Sequence, residues 1–108
     1  MLKNNSIMDQ VIPLEFYLCQ NYPNPFKEST IIKYCVAYKT RVQITVYNSE
    51  GKEIIKLVDE EKNPGTYEVE FSISAIHSSE RGNPKEETFS YCLKAGDYKS
   101  EKKMILIK

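Results

Sequence analysis

The sequence predicts an all-β fold, a single antiparallel β-sandwich of about seven strands. Three observations carry that prediction. Apolar and polar residues alternate with period two along most of the chain, while helical periodicity is weak. Clusters of Gly, Pro, Asn and Ser punctuate the alternating runs at short intervals. The length, 108 residues, suits one domain, with an apolar content of 41% for one core.

Phe16–Gln20 opens the series as a short first strand. Tyr22-Pro23-Asn24-Pro25-Phe26 follows, with two prolines around an asparagine. A residue before proline is pushed to extended geometry, so this segment is a stiff, non-helical corner that turns Phe26 inward. Thr30–Val36 is β-branched and aromatic, with Ile32, Tyr34 and Val36 as its inward set and Lys33 and Cys35 outward. In Val42–Tyr47, Val42, Ile44 and Val46 share one face, and Gln43, Thr45 and Tyr47 share the other. Asn48-Ser-Glu-Gly51 closes a hairpin onto a strand at Glu53–Val58, and Asp59-Glu-Glu61 reads as a solvated acidic turn. Asn63-Pro64-Gly65 suits a type II turn. Tyr67–Phe71 then places Tyr67, Val69 and Phe71 inward and two glutamates outward. His77–Glu87 has no apolar residue and reads as a long exposed loop. Phe89–Leu93 alternates Phe89, Tyr91 and Leu93 against Ser90 and Cys92. Ala95-Gly96-Asp97 is a tight turn into a last strand at Lys102–Ile107.

Composition bears on function mainly by exclusion. Lys plus Arg and Asp plus Glu both total 15, so the net charge is zero, against a nucleic-acid-binding role. No apolar run reaches the ~20 residues that a membrane helix needs. Met1–Gln10 lacks the apolar stretch and cleavage site of a secretory signal. As it stands the chain is expected in the cytoplasm, or it is a piece of a longer precursor. The single histidine, His77, sits at the mouth of a polar loop, and Cys19, Cys35 and Cys92 are scattered. Neither a nucleophile with its base nor the ligand spacing of a zinc site is present, so no catalytic residue, metal ligand, cofactor or small-molecule substrate is expected.

An odd cysteine count leaves at least one thiol free. Cys35 and Cys92 fall on strands where an inter-sheet bridge is conceivable, but both read as outward on opposite sheets, which argues against it. Free or semi-exposed thiols are the expectation, with an intermolecular crosslink in an oxidising compartment as the alternative. The tyrosines left outward, Tyr47 with Tyr17 or Tyr98, give a sparse platform for sugars.

Several of these blocks recur together. Tyr22–Phe26 with Thr30–Tyr34, then Val46–Ile54, Pro64–Phe71, Tyr91–Asp97 and Lys102–Lys108 resemble, in order, the C-terminal sorting domains of type IX secretion. The resemblance runs from about Ile12 to Lys108. It departs from the family at Glu87–Tyr91, which lacks a glycine, and at Cys92, where arginine is common. It implies an Ig-like sandwich at 12–108, related to the Ig-like domain of flagellar hook-capping proteins, behind a linker or disordered stretch at 1–11. It also implies a non-catalytic domain joined to a preceding cargo and bound by secretion machinery of the outer membrane. The cargo is then secreted, or held on the cell surface, after passing the periplasm.

Tyr98–Lys108 carries four lysines against one glutamate around the apolar run Met104–Ile107. Lysines of this kind blunt an edge strand, and an edge strand offers unpaired backbone groups that a partner extends. With the resemblance, this makes Lys102, Lys103, Met104, Ile105, Leu106, Ile107 and Lys108 the candidates for recognition. Tyr22, Pro23, Asn24, Pro25, Phe26, Gly51, Gly65 and Gly96 are expected to shape the fold. A homodimer through the last strand or an exposed cysteine is a further expectation. The competing reading is an interaction or adhesion module without export activity.

Overall fold

The computed structural model describes residues 13–75 and 86–107. The predicted linker at 1–11, His77 with most of the polar loop, and Lys108 lie outside the described residues.

Seven strands follow in chain order: β1 (Tyr17–Leu18), β2 (Ser29–Val36), β3 (Thr40–Tyr47), β4 (Glu53–Lys62), β5 (Gly65–Ser72), β6 (Glu86–Ala95) and β7 (Tyr98–Ile107). They form two antiparallel sheets, β1-β2-β5 and β4-β3-β6-β7, a three-on-four sandwich. Alternation decides which side chains meet between the layers. Ile32, Tyr34, Val36 and Phe71 from one sheet face Val42, Ile44, Val46, Phe89, Tyr91, Leu93, Met104 and Leu106 from the other, all 1% exposed or less. Phe26 enters the same core, its ring edge-on to Phe71 at 6.0 Å, and Phe71 meets Phe89 at 5.7 Å. Edge-to-face contacts of this kind add to the energy of burial.

Six strands are longer than the alternation alone predicts, and β4, β6 and β7 extend furthest. β4 continues to Lys62, so Asp59-Glu-Glu61 is strand and not a turn. As the sheet edge, β4 wets its polar residues while its backbone pairs with Thr40–Gln43. Asp59 accepts hydrogen bonds from Gln43 and from Arg41, which hold its carboxyl below the ordinary range. Similarly, β6 takes in Glu86 and Glu87, which read as loop, because they pair with Ile107 and Leu106. β7 starts at Tyr98, since Ala95 and Tyr98 already face each other across the Gly96 turn.

All three cysteines are free thiols. Cys19 and Cys35 are half-buried, whereas Cys92 is 5% exposed, a correction to its reading as semi-exposed. It does point away from the core, but β6 lies between β3 and β7, and Thr45 and Glu101 flank it in register. Burial raises its thiol pKa. Tyr98, read as outward, instead stacks on Phe16 at 5.7 Å and packs against the core.

Candidate functional site

The predicted recognition run lies on β7, the edge of the four-stranded sheet. Alternation divides it. Met104 and Leu106 are core residues at 0% and 1% exposure. Ile105 and Ile107 are half-buried on the outer face, where Lys103 is exposed, and Lys102 is half-buried at the rim. Only part of the run is therefore presented to a partner by the folded domain.

The edge itself is also largely occupied. The Tyr22–Phe26 corner runs alongside β7 and bridges to it in parallel at Phe26 and Leu106. Phe26 N donates to Ile105 O at 2.9 Å, and Ile107 N donates to Phe26 O at 2.8 Å. Ile105 N donates to Asn24 Oδ1 at 2.9 Å, and Gln20 Nε2 donates to Lys103 O at 2.6 Å. The unpaired backbone expected of this edge strand is thus capped from Lys103 to Ile107.

A buried polar network fixes the corner. Both of its X-Pro bonds, Tyr22-Pro23 and Asn24-Pro25, are cis. Asn21, 2% exposed, donates through Nδ2 to Thr30 Oγ1 at 2.9 Å and to Pro23 O at 3.1 Å, while its Oδ1 accepts from Gln20 Nε2 at 2.7 Å. Thr30 Oγ1 donates in turn to Pro23 O at 2.8 Å. From the facing sheet, the Tyr91 hydroxyl accepts from Asn21 N at 2.8 Å and donates to Cys19 O at 2.7 Å. Burial pushes the Tyr91 hydroxyl up to about 12. Of these residues the resembling blocks include the corner, Thr30 and Tyr91. Gln20 and Asn21 lie outside them and carry no local signal, because their role depends on partners that the fold brings from elsewhere.

Two glycines are required by their turns. Gly96 has φ +58°, and a Cβ there would lie 2.8 Å from Tyr38 Oη. Gly51 has φ +83° in a loop where Asn48 Oδ1 accepts from Glu50 N and Lys52 N, each at 2.9 Å. Gly65 opens β5 in near-extended backbone opposite Val36. On the outer face, that Asn48–Gly51 loop and β7 enclose a shallow groove of about 300 Å³, with Thr88 and Ser90 below and Glu101 and Lys103 along one wall. Among the described residues, no three His, Cys, Asp or Glu side chains gather as metal ligands, and no helix is long and apolar enough to cross a membrane.

Residues 20–78 match the secretion system C-terminal sorting domain family. That is more than half of the sequence, and it includes the corner, the two hairpin partners β3 and β4, and β5. The chain belongs to this family. The sorting domain also resembles part of a solved structure, the crystal structure of dimeric latent PorU from Porphyromonas gingivalis, with a TM-score of 0.56 and 15% identity. That alignment covers 86% of this chain and 9% of PorU, and at such identity the likeness is one of fold. No curated protein matches the sequence. As a type IX sorting domain, the chain belongs with cargo that is secreted or displayed on the cell surface.

Proposed function

We propose that this domain is a non-catalytic sorting signal that follows a cargo domain and is bound by the outer-membrane translocon of type IX secretion, with the cargo arriving through the periplasm. The family match over 20–78 carries this reading. Recognition falls to the side chains of the last strand that face solvent, Lys102, Lys103, Ile105 and Ile107, and to Lys108, the next residue in the sequence. Met104 and Leu106 act indirectly by seating the strand in the core. The corner and the three glycines hold it in place.

The test is an export assay with the whole chain fused to a periplasm-targeted fluorescent reporter, in a bacterium with an active type IX system. Reporter in the medium or on the surface, for the fusion and not for the reporter alone, is the expected outcome. A folded fusion that stays in the periplasm overturns the reading. Whole-strand deletion is unsuitable as a control, because it removes two core residues along with the signal.

A further inference from the structure

Two modes of reading an edge strand are physically distinct. A partner adds its own strand to the free backbone, or it binds the side chains that the sheet face displays. The capping of β7 discriminates between them. Within an antiparallel strand, successive residues direct their N–H and C=O to opposite edges. Ile105 points both groups at the corner, so Lys99, Glu101 and Lys103 point theirs the same way. From Lys103 O to Ile107 N that edge is taken. Among the described residues, only the stretch around Lys99–Glu101 stays open, shorter than the ~5–6 residues of an average strand.

The outer face is the opposite case. Lys94 and Lys99 stand directly across from each other in the β6–β7 register, and Lys103 extends the line beside Ser90. All three are exposed, and among the described residues no carboxylate lies within ion-pair distance of them. Like charges facing across a ladder are destabilising in the free domain. Ile105 and Ile107 show half-buried apolar surface next to this line, and the groove opens between Lys103 and the Asn48–Gly51 loop.

The geometry points to recognition through this face: an acidic segment of a partner protein, with apolar residues between its carboxylates, lies across Lys94, Lys99, Lys103, Ile105 and Ile107 and does not add a strand to β7. Charge complementarity selects the occupant, since among the described residues the three lysines of this face have no ion-pair partner and outnumber Glu101, which lies between Lys99 and Lys103. The inference rests on the sorting reading and specifies how the signal is read.

The same reporter fusion of the whole chain tests it with two changes of opposite kind. Lys99→Glu with Lys103→Glu reverses the face and leaves the backbone edge intact. Glu101→Pro removes an outward N–H from the open stretch and leaves the pairing to β6 intact, as proline is tolerated on the solvent side of an edge strand, and Glu101→Gln, which keeps that N–H, controls for the outer-face carboxylate lost with it. Thermal melts of the purified variants check folding, and Lys99→Gln with Lys103→Gln repeats the first change without adding negative charge.

The expected result is at least about a tenfold fall in export for the charge reversal, a smaller fall for the glutamine pair, and export within about twofold of wild type for Glu101→Pro. Wild-type export by the folded charge-reversed domain, or loss of export by folded Glu101→Pro, overturns the inference while leaving the sorting reading in place. Failure of the unmodified fusion to leave the periplasm overturns the sorting reading and this inference with it.

Discussion

Tyr91 does two jobs at one atom. Its ring fills the core, and its hydroxyl joins the corner to the opposite sheet through Asn21 N and Cys19 O. Tyr91→Phe keeps the ring and strands both backbone groups, so it is expected to cost about 1–3 kcal/mol in urea unfolding. Because the folded hydroxyl ionises near 12 and the unfolded one near its ordinary 10.0, the folded state favours the neutral form. Its contribution is complete below pH 10 and disappears as the pH rises from 10 towards 12. Tyr91→Phe should shrink that alkaline loss of stability, read from unfolding midpoints at pH 8 and pH 11. Gly96→Ala places a side chain at φ +58° and against Tyr38 Oη, which can swing aside, so backbone strain dominates at about 1–2 kcal/mol. Tyr38→Ala in the same chain should recover little of that loss. Thiol labelling should separate the cysteines, with Cys19 and Cys35 reacting before Cys92, whose exposure is 5% and whose pKa burial raises. Equal rates for all three would contradict the covered position of Cys92.

The corner and β7 act as a pair of elements. Phe26 is both an anchor in the core and the backbone partner of Ile105 and Ile107. Phe26→Ala is expected to cost about 3–5 kcal/mol and to release the edge. Asn24→Ala removes one exposed cap, so it should speed hydrogen exchange at the Ile105 amide with little change in the melting temperature. How far such features can be read in advance depends on where their partners lie. The inward sets of β2, β3 and β6 follow from alternation, because one buried face imposes a two-residue period. The corner is legible through its prolines, and its inward Phe26 follows from its being the one apolar residue after them. The polar end of β4 is not legible, since an edge strand that wets both faces has no period to display. The capping of β7 by Gln20 and Asn24 is equally hidden: the bond from Ile105 to Asn24 joins residues 81 apart, and nothing local encodes it. A basic, apolar last strand was therefore readable as a candidate for recognition, whereas the obstruction of its backbone was not.

For the whole molecule, the two sheets close differently at their two sides. On one side the corner laces β7 to the segment after β1, and Phe16 stacks on Tyr98. On the other, β4 and β5 end their sheets with Ile54, Ile55, Leu57, Tyr67 and Val69 only partly buried. β7 supplies Met104 and Leu106 to the middle of the core. A chain ending at Gly96 lacks both, each worth roughly 1.5–3 kcal/mol of burial, and bares the edge of β6. Against the 5–15 kcal/mol of a typical domain, that truncation is expected to leave the remainder unfolded, seen as collapse of amide dispersion in NMR spectra. A well-dispersed spectrum would show that six strands suffice.

The capped edge also has a consequence in time. A chain that emerges from its amino end presents Asn24 and Phe26 long before Ile105 and Ile107 exist for them to hold. The corner must wait, its phenylalanine unburied, while some eighty residues follow. Loop closure over that span is among the slowest steps open to an all-β chain. The domain therefore locks only when its last strand arrives.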